Sequence, residues 1–409
     1  MEKIKLGIIG LGLRGHSMLC SVLSESPSFE ITAVCDVYPD RVERASFFLT
    51  SKGFQKPLCF TSYEELLASA SVDAVYISTS WETHLKIATE ALYAHIAVAL
   101  EVGGASSFEE CLGLIEAYEK TKTPFMFMEN CCFGKTELLA TALVRDGLLG
   151  DIVHCSGAYS HDLRYEVSHG NIIRHYRLNH YLNENCENYP THEFGPILKI
   201  LGLTRGNRPL SLVSMASSSK GLSEYINTNR IYEKDPSLKD AVFSQADIVH
   251  TIIKCEGGES VLLKLDTTLP RSYSREFTVR GTKGLYEGDK NLIFLDGDRE
   301  LFDTVSYYSQ NINNAKKYED IYVPELWKLL PEDALTKGHG GMDYIEFAVF
   351  ADKLLSGKEM PIDVYEAATL MAVSYLSAES IRNGSTPVAF PDFTNGAWRS
   401  RPLKDGVDV

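Results

Sequence analysis

The chain has no surplus of positive charge. Lys and Arg total 40 against 55 Asp and Glu, a formal net charge of −15. That balance argues against nucleic acid and anionic membrane surfaces as partners and fits a neutral or cationic small substrate. No apolar run approaches the roughly 20 residues that span a bilayer. The first strand-like run begins within a few residues of Met1, which leaves no room for a signal peptide. The nine cysteines include no Cys-x-x-Cys pair, and an odd, scattered set is not a disulfide framework. Reduced thiols in a cytoplasmic protein are expected. His161, His169, His175 and His180 lack compact ligand spacing, so no metal is expected. A Gly-x-Ser-x-Gly elbow is missing too, which disfavours a serine hydrolase.

What is present begins at the N-terminus. The run Lys3–Ile9 ends in Gly10-x-Gly12-x-x-Gly15, and a helix-like stretch from His16 to Leu23 follows at once. Gly10 permits the tight turn, Gly12 lets backbone approach a pyrophosphate, and Gly15 allows close packing of helix on strand. The helix N-terminus offers free N–H groups to phosphate. A second apolar run, Phe29–Cys35, ends in Asp36, about 20 residues beyond Gly15, as the ribose-binding acid of a Rossmann unit does. Its carboxylate accepts ribose hydroxyls and repels a 2′-phosphate, so the predicted cofactor is NAD rather than NADP.

Apolar runs and helical patterns then alternate. Strands are predicted at 58–60, 73–79, 96–100 and 124–128, a capping box at Ser62 and Glu65, and a loop at Trp81–His84 before a helix to Ala94. This is the pattern of a doubly wound parallel sheet, whose ligands bind beyond the carboxyl ends of the strands. After Gly150 the texture changes to short strands separated by turns (152–159, 210–216, 248–254, 260–266, 276–279 and 292–294), a largely antiparallel sheet. The polar stretches 162–190, 217–239 and 309–331 read as irregular, and helices return at 342–355 and 364–383. The fold class is therefore α/β, a Rossmann sheet followed by an α+β domain. Residues 1–130 are assigned to cofactor binding, 131–385 to substrate binding and 386–409 to a tail.

Tyr189 and His192 lie three apart at a predicted helix start, so they face one way if that turn is helical. Such a pair can relay a proton to or from a sugar hydroxyl, and it can equally be an entry turn with one structural histidine. Tyr159–Arg164 and Arg174–Arg177 have the planar and polar composition of a carbohydrate pocket, and also that of a solvated loop.

Stretches throughout the chain carry a family resemblance: Trp81-Glu82-Thr83-His84, Glu101-Val102, Glu129–Gly134, His161–Arg164, Tyr189-Pro190-Thr191-His192, Pro270–Arg275, Gly338–Asp343 and Pro391–Trp398. The chain resembles the glucose–fructose oxidoreductase / inositol dehydrogenase superfamily (Gfo/Idh/MocA). Within it, it is similar to glycoside hydrolase family 109, the NAD-dependent glycosidases of α-N-acetylgalactosaminidase type. Superfamily oxidoreductases usually carry Glu-Lys-Pro after the fifth strand. Here Val102 and Gly103 stand at the lysine and proline positions, and Glu193-Phe194 follows His192 where the family more often has small or apolar residues.

The resemblance implies a glycosidase that oxidises the sugar transiently at C3, eliminates across C1–C2, adds water and re-reduces, with NAD recycled. The alternative is an NAD-dependent sugar dehydrogenase with net oxidation. It further implies that Leu13, Arg14, Asp36, Trp81, His84, Glu101, Val102, Asn130 and Tyr189 contact NAD alongside Gly10, Gly12 and Gly15. Tyr159, Arg177, Tyr189, Pro190, Thr191, His192 and Tyr273 would line the sugar site, with proton transfer by Tyr189 and His192 and leaving-group help from His161. A homo-oligomer, dimer or tetramer, is implied as well.

Overall fold

The run Ile4–Ile9 is strand β1, and beyond Lys5 it is buried on both faces: Leu6, Ile8 and Ile9 are almost completely buried. A strand buried on both faces must be covered on both sides, which is what helices in a parallel sheet provide. β2 (Phe29–Cys35), β3 (Leu58–Phe60), β4 (Ala74–Ile77), β5 (Ala97–Glu101) and β6 (Phe125–Met128) complete a six-stranded parallel sheet in the order β3-β2-β1-β4-β5-β6. Strand order reverses between β1 and β4, the place where ligands bind in sheets of this kind.

The computed structural model describes residues 3–297 and 312–406. The chain divides into two compact units: Met1–Phe133 with Pro324–Ala368 and Gly406–Val409, and Gly134–Val323 with Thr369–Asp405. The sequence alone assigns residues 324–368 to the substrate domain, yet in the structure this segment packs within the first unit. The reason is apolar complementarity. Helix Met342–Ser356 sets Phe347 edge-on to Tyr76 of β4 at 5.2 Å between ring centroids and 6.1 Å from Phe29 of β2, while Phe350 stacks on Phe29 at 6.4 Å. Each such buried ring contributes about 1.5–3 kcal/mol through burial and a further ~1 kcal/mol through ring geometry.

The second unit is built on an eight-stranded mixed sheet. Its strands are β7 (Ile152–Ser160), β8 (Pro209–Ala216), β9 (Ile248–Cys255), β10 (Ser260–Asp266), β11 (Thr278–Gly281), β12 (Gly284–Glu287), β13 (Leu292–Leu295) and β14 (Val388–Ala389), in the order β13-β12-β11-β7-β10-β9-β8-β14. Among the described residues, only the β7–β10 pair of this sheet is parallel. Burial alternates strictly along β9 and β10, so one face is covered and the other open. The covering includes helix Thr191–Leu201, buried along its whole length. Gly157 of β7 lets it approach, since a Cβ there would stand 3.0 Å from the Glu193 Cβ.

Several expectations are corrected. Trp81–His84 is not a loop but the first turn of helix Trp81–Tyr93. The helix after Gly15 starts at Leu13 and passes into a π-helical turn at Leu19–Leu23. The stretch 162–190 contains three short helices, Arg164–Ser168, Gly170–Ile173 and Arg177–Asn183, too brief to show a period in sequence. Helix Gly221–Thr228 lies in the second stretch expected to be irregular. The third holds helices Lys316–Tyr322 and Glu325–Lys328, and its residues 309–311 lie outside the described residues. Part of the expected tail forms β14, paired with β8.

Candidate functional site

The glycine turn does three separate things. Gly10 has φ +96°, and a Cβ on it would fall 2.6 Å from the Ser78 carbonyl. A Cβ on Gly15 would fall 2.0 Å from the Gly10 oxygen, so the helix can rest on the turn only without a side chain. At Gly12 the space is open; the nearest atom to a built Cβ is Arg41 Nη1 at 3.7 Å. No side chain caps helix Leu13–Met18, whose first N–H groups are left for a ligand. Asp36, at the end of β2, is buried and accepts the Leu11 N–H at 2.7 Å and the Tyr38 N–H at 3.0 Å. Arg41 Nη1 lies 3.4 Å from the same carboxylate, with its guanidinium 4.6 Å over the Tyr38 ring.

Apart from Tyr189, which belongs to the second unit, the other residues assigned to NAD by resemblance also follow strand ends of the first sheet. Trp81 and His84 open the helix after β4, Glu101 ends β5 with Val102 next to it, and Asn130 follows β6. His84 is buried, its Nε2 bonded to the Thr79 carbonyl at 3.0 Å and its Nδ1 without a hydrogen-bond partner among the described residues. Burial lowers its pKa to about 4, so the imidazole is neutral. Open backbone at Gly12, an uncapped helix start and an orphaned buried ring nitrogen fit a dinucleotide. Gly103 matters here, because a Cβ would meet Trp81 Cδ1 at 2.8 Å and His84 Nδ1 at 3.0 Å.

Three of these side chains are tied to one another. Arg14 Nε donates to Glu101 Oε1 at 2.7 Å, while Nη1 and Nη2 grip Asp343 at 2.8 and 2.9 Å. Asn130 Nδ2 donates to Asp343 at 2.7 Å, Tyr76 donates its hydroxyl to Glu101 at 2.6 Å, and His339 Nδ1 stands 2.9 Å from Asp343. Burial alone would push the Asp343 carboxyl up, but Arg14 and His339 together hold it well below the usual carboxylate range. Reading the sequence assigned no role to Asp343 or His339; their signal was the run Gly338–Asp343. Leu13, by contrast, is exposed.

In the second unit the predicted sugar-site residues converge. Tyr159 ends β7, Arg177 opens a helix, and Tyr189-Pro190 leads into helix Thr191–Leu201. Tyr189 lies edge-on to His192 at 4.9 Å, and Tyr159 sits 4.3 Å from Tyr189 and 5.6 Å from His192. Tyr159 Oη is 3.1 Å from His161 Nδ1, and the His161 ring is 5.3 Å from that of half-exposed Tyr273. The Arg177 guanidinium stands 5.0 Å over the Tyr189 ring and 3.2 Å from Glu166. Burial, then the charge of Arg177, lowers the pKa of His161. Pro190 and Thr191 are buried at the entry turn. Tyr189 and His192 therefore meet across the entry turn although Tyr189 precedes the helix, while the remaining members are gathered from separate elements.

A model for "Glycosyl hydrolase 109, C-terminal domain" matches residues 133–400, and one for "Oxidoreductase family, NAD-binding Rossmann fold" matches residues 4–128. A glycosyl hydrolase family 109 protein of Stenotrophomonas maltophilia is 34% identical over 98% of this chain and 91% of its own length. The α-N-acetylgalactosaminidase of Tannerella forsythia is 33% identical over 97% of this chain and 88% of its own. Among solved structures, scyllo-inositol dehydrogenase from Lactobacillus casei, with bound NAD(H) and scyllo-inositol, gives a TM-score of 0.65 at 16% identity, covering 95% of this chain and 99% of that one. The WlbA dehydrogenase from Bordetella pertussis, with NADH and UDP-GlcNAcA, gives 0.67 at 14%, covering 95% and 98%. On these matches the chain belongs to glycosyl hydrolase family 109, with an N-terminal NAD-binding domain of the oxidoreductase Rossmann type.

Proposed function

We propose that this NAD-dependent glycosidase releases the aglycone of α-N-acetylgalactosaminides or closely related glycosides, with Tyr189 and His192 moving the protons. Held by the Gly10–Gly15 turn and Asp36, NAD would supply a hydride acceptor for the C3 carbon of the sugar and the hydride for its later reduction, so there would be no net oxidation. The C3 ketone acidifies the hydrogen on C2. Its loss as a proton, with departure of the C1 aglycone, gives an enone. Water then adds oxygen to C1 and hydrogen to C2, and reduction at C3 restores the sugar. No oxocarbenium ion and no carboxylate pair are needed.

The observation that carries this reading is the buried turn where Tyr189 and His192 meet edge-on at 4.9 Å under the Arg177 cation. Two groups able to exchange a proton stand side by side, as successive removal from the C3 hydroxyl and from C2 requires. Tyr159, Tyr273 and Arg177 supply ring faces and charge for a carbohydrate. His161, kept neutral by burial, serves better as a hydrogen-bond partner of Tyr159 than as proton donor to the leaving group near neutral pH. Buried Val102 stands where oxidoreductases of the superfamily place a cation, which favours recycling over net alcohol oxidation. All nine cysteines are free thiols, in keeping with a cytoplasmic setting, and a homo-oligomeric state follows the superfamily. No described helix is long and apolar enough to cross a membrane.

The test is incubation with a panel of aryl α- and β-glycosides, N-acetylated and not, in D₂O. Aglycone release with deuterium at C2 is expected, α-N-acetylgalactosaminides leading. Release without deuterium refutes the mechanism. NADH accumulating in proportion to sugar consumed identifies a dehydrogenase instead.

A further inference from the structure

Behind the aromatic turn lie two carboxyl groups that the chemistry above does not use. Glu187 and Glu193 are 0% and 1% exposed, and their side chains face one another in the second unit. Glu193 Oε2 accepts the Lys264 N–H of β10 at 3.1 Å. Glu193 Oε1 and both oxygens of Glu187 receive no well-formed hydrogen bond from any other described residue. Two ionised carboxylates side by side in so dry a place would repel one another, a costly arrangement. One proton between them turns the same contact into a hydrogen bond. Burial holds both carboxyls well above their ordinary range, and for Glu193 the neighbouring Glu187 adds to it. The pair thus behaves as one unit with shared protons.

Its surroundings show what it connects. The Tyr189 and Leu265 amides lie against the Glu187 carboxyl, and those of Lys264 and Tyr159 against Glu193. Tyr159 and Leu265 are register partners across β7 and β10. Glu193 is the residue after His192, and Gly157 of β7 leaves room for its backbone to come this close. Glu193 also stands where the family pattern more often has a small or apolar residue. We propose that Glu187 and Glu193 are a positioning pair, whose mutual hydrogen bond locks the end of β7 bearing Tyr159 to the turn bearing Tyr189 and His192. The inference rests on the reading of those three residues as the sugar half-site.

The experiment compares wild type with Glu193→Gln, Glu193→Leu and Glu193→Asp. Three readouts are taken: kcat and KM for aryl glycoside cleavage, NAD affinity by calorimetry, and the histidine ring resonances, with His192 assigned from its absence in His192→Ala. Gln keeps the reach and offers a neutral donor and acceptor, so Glu193→Gln stays within about threefold of wild-type kcat/KM. Glu193→Leu removes the hydrogen bond and Glu193→Asp shortens its reach. Each lowers kcat/KM by about tenfold or more and shifts the His192 resonance, while NAD affinity is unchanged. If the leucine variant does not fold, the aspartate variant decides. Unchanged kcat/KM and His192 resonances in the variant read overturn the proposal. So does a loss of about 10²-fold or more in Glu193→Gln, which would make Glu193 an ionised catalytic group. Should wild type cleave no glycoside, the functional reading fails, and the His192 resonances still decide whether the pair positions the turn.

Discussion

Replacing Asp343 by alanine should destabilise the first unit severely, because it strips three partners at once. Arg14 loses both guanidinium contacts at 2.8 and 2.9 Å, Asn130 loses its acceptor at 2.7 Å, and His339 loses its carboxylate. The Asp343 side chain is 0% exposed and that of Arg14 29%, so little water is present to replace the lost bonds. Removing one partner of a buried pair typically costs about 3–5 kcal/mol; Glu101 still engages Arg14 at 2.7 Å, which points to the lower end. Asp343→Asn isolates the charge, and its pH dependence is the sharper test. The native carboxyl is held well below its ordinary value, so its contribution is complete above the unfolded value of about 3.9 and fades as pH falls towards the native one. The stability gap between wild type and Asp343→Asn should therefore be constant from pH 8 to about 5. Below about pH 4 it should narrow by about 1.4 kcal/mol per pH unit. Urea unfolding across that range, followed by fluorescence, measures it. A gap that ignores pH, or an alanine variant as stable as wild type, refutes the assignment of this pair as a buried electrostatic clamp.

Tyr189→Phe and His192→Ala should each lower turnover by about 10²–10⁴-fold and abolish deuterium exchange at C2, with calorimetric NAD affinity unchanged. Asp36→Ser should gain NADP binding in the same calorimetric assay, because Arg41, 3.4 Å from that carboxylate, is placed to meet a 2′-phosphate once the negative charge is gone. Gly15→Ala should abolish NAD binding, since the added Cβ would overlap the Gly10 oxygen at 2.0 Å. Glu193→Gln should gain stability relative to wild type as pH rises above about 4.3. The native carboxyl is held above that value, so below it the two proteins differ least, and thermal melts from pH 4 to 8 read the divergence.

What could be read in the sequence is what local rules dictate. The turn at Gly10–Gly15 was legible because only glycine tolerates φ +96° at position 10 and a backbone oxygen beneath position 15. Strands β4, β5 and β6 were legible because two-sided burial demands unbroken apolar runs. The Ser62 cap was legible from its spacing to Glu65, whose N–H it accepts at 3.2 Å. Tyr189 and His192 were paired by helical spacing alone. Where local signals were weak the reading failed. The helices within 162–190 span four to seven residues each, below two turns, where no period can show. The four residues Gly284–Glu287 of β12 gave too short a pattern to be noticed.

By itself, then, the sequence determined the glycine turn, the acid at the end of β2, the parallel sheet and the aromatic entry turn, because each is written in residues within one helical turn or one βαβ unit of each other. Tertiary structure alone decided that Asp343 clamps Arg14 across 329 positions, and that helix Met342–Ser356 covers the first sheet rather than the second. It also decided that Glu187 and Glu193 are both shut away from water in the second unit. A carboxylate has the same letter whether it is solvated, paired with a guanidinium or protonated against another carboxyl. Only the low-dielectric surroundings that folding assembles set its charge, and with it the work it can do.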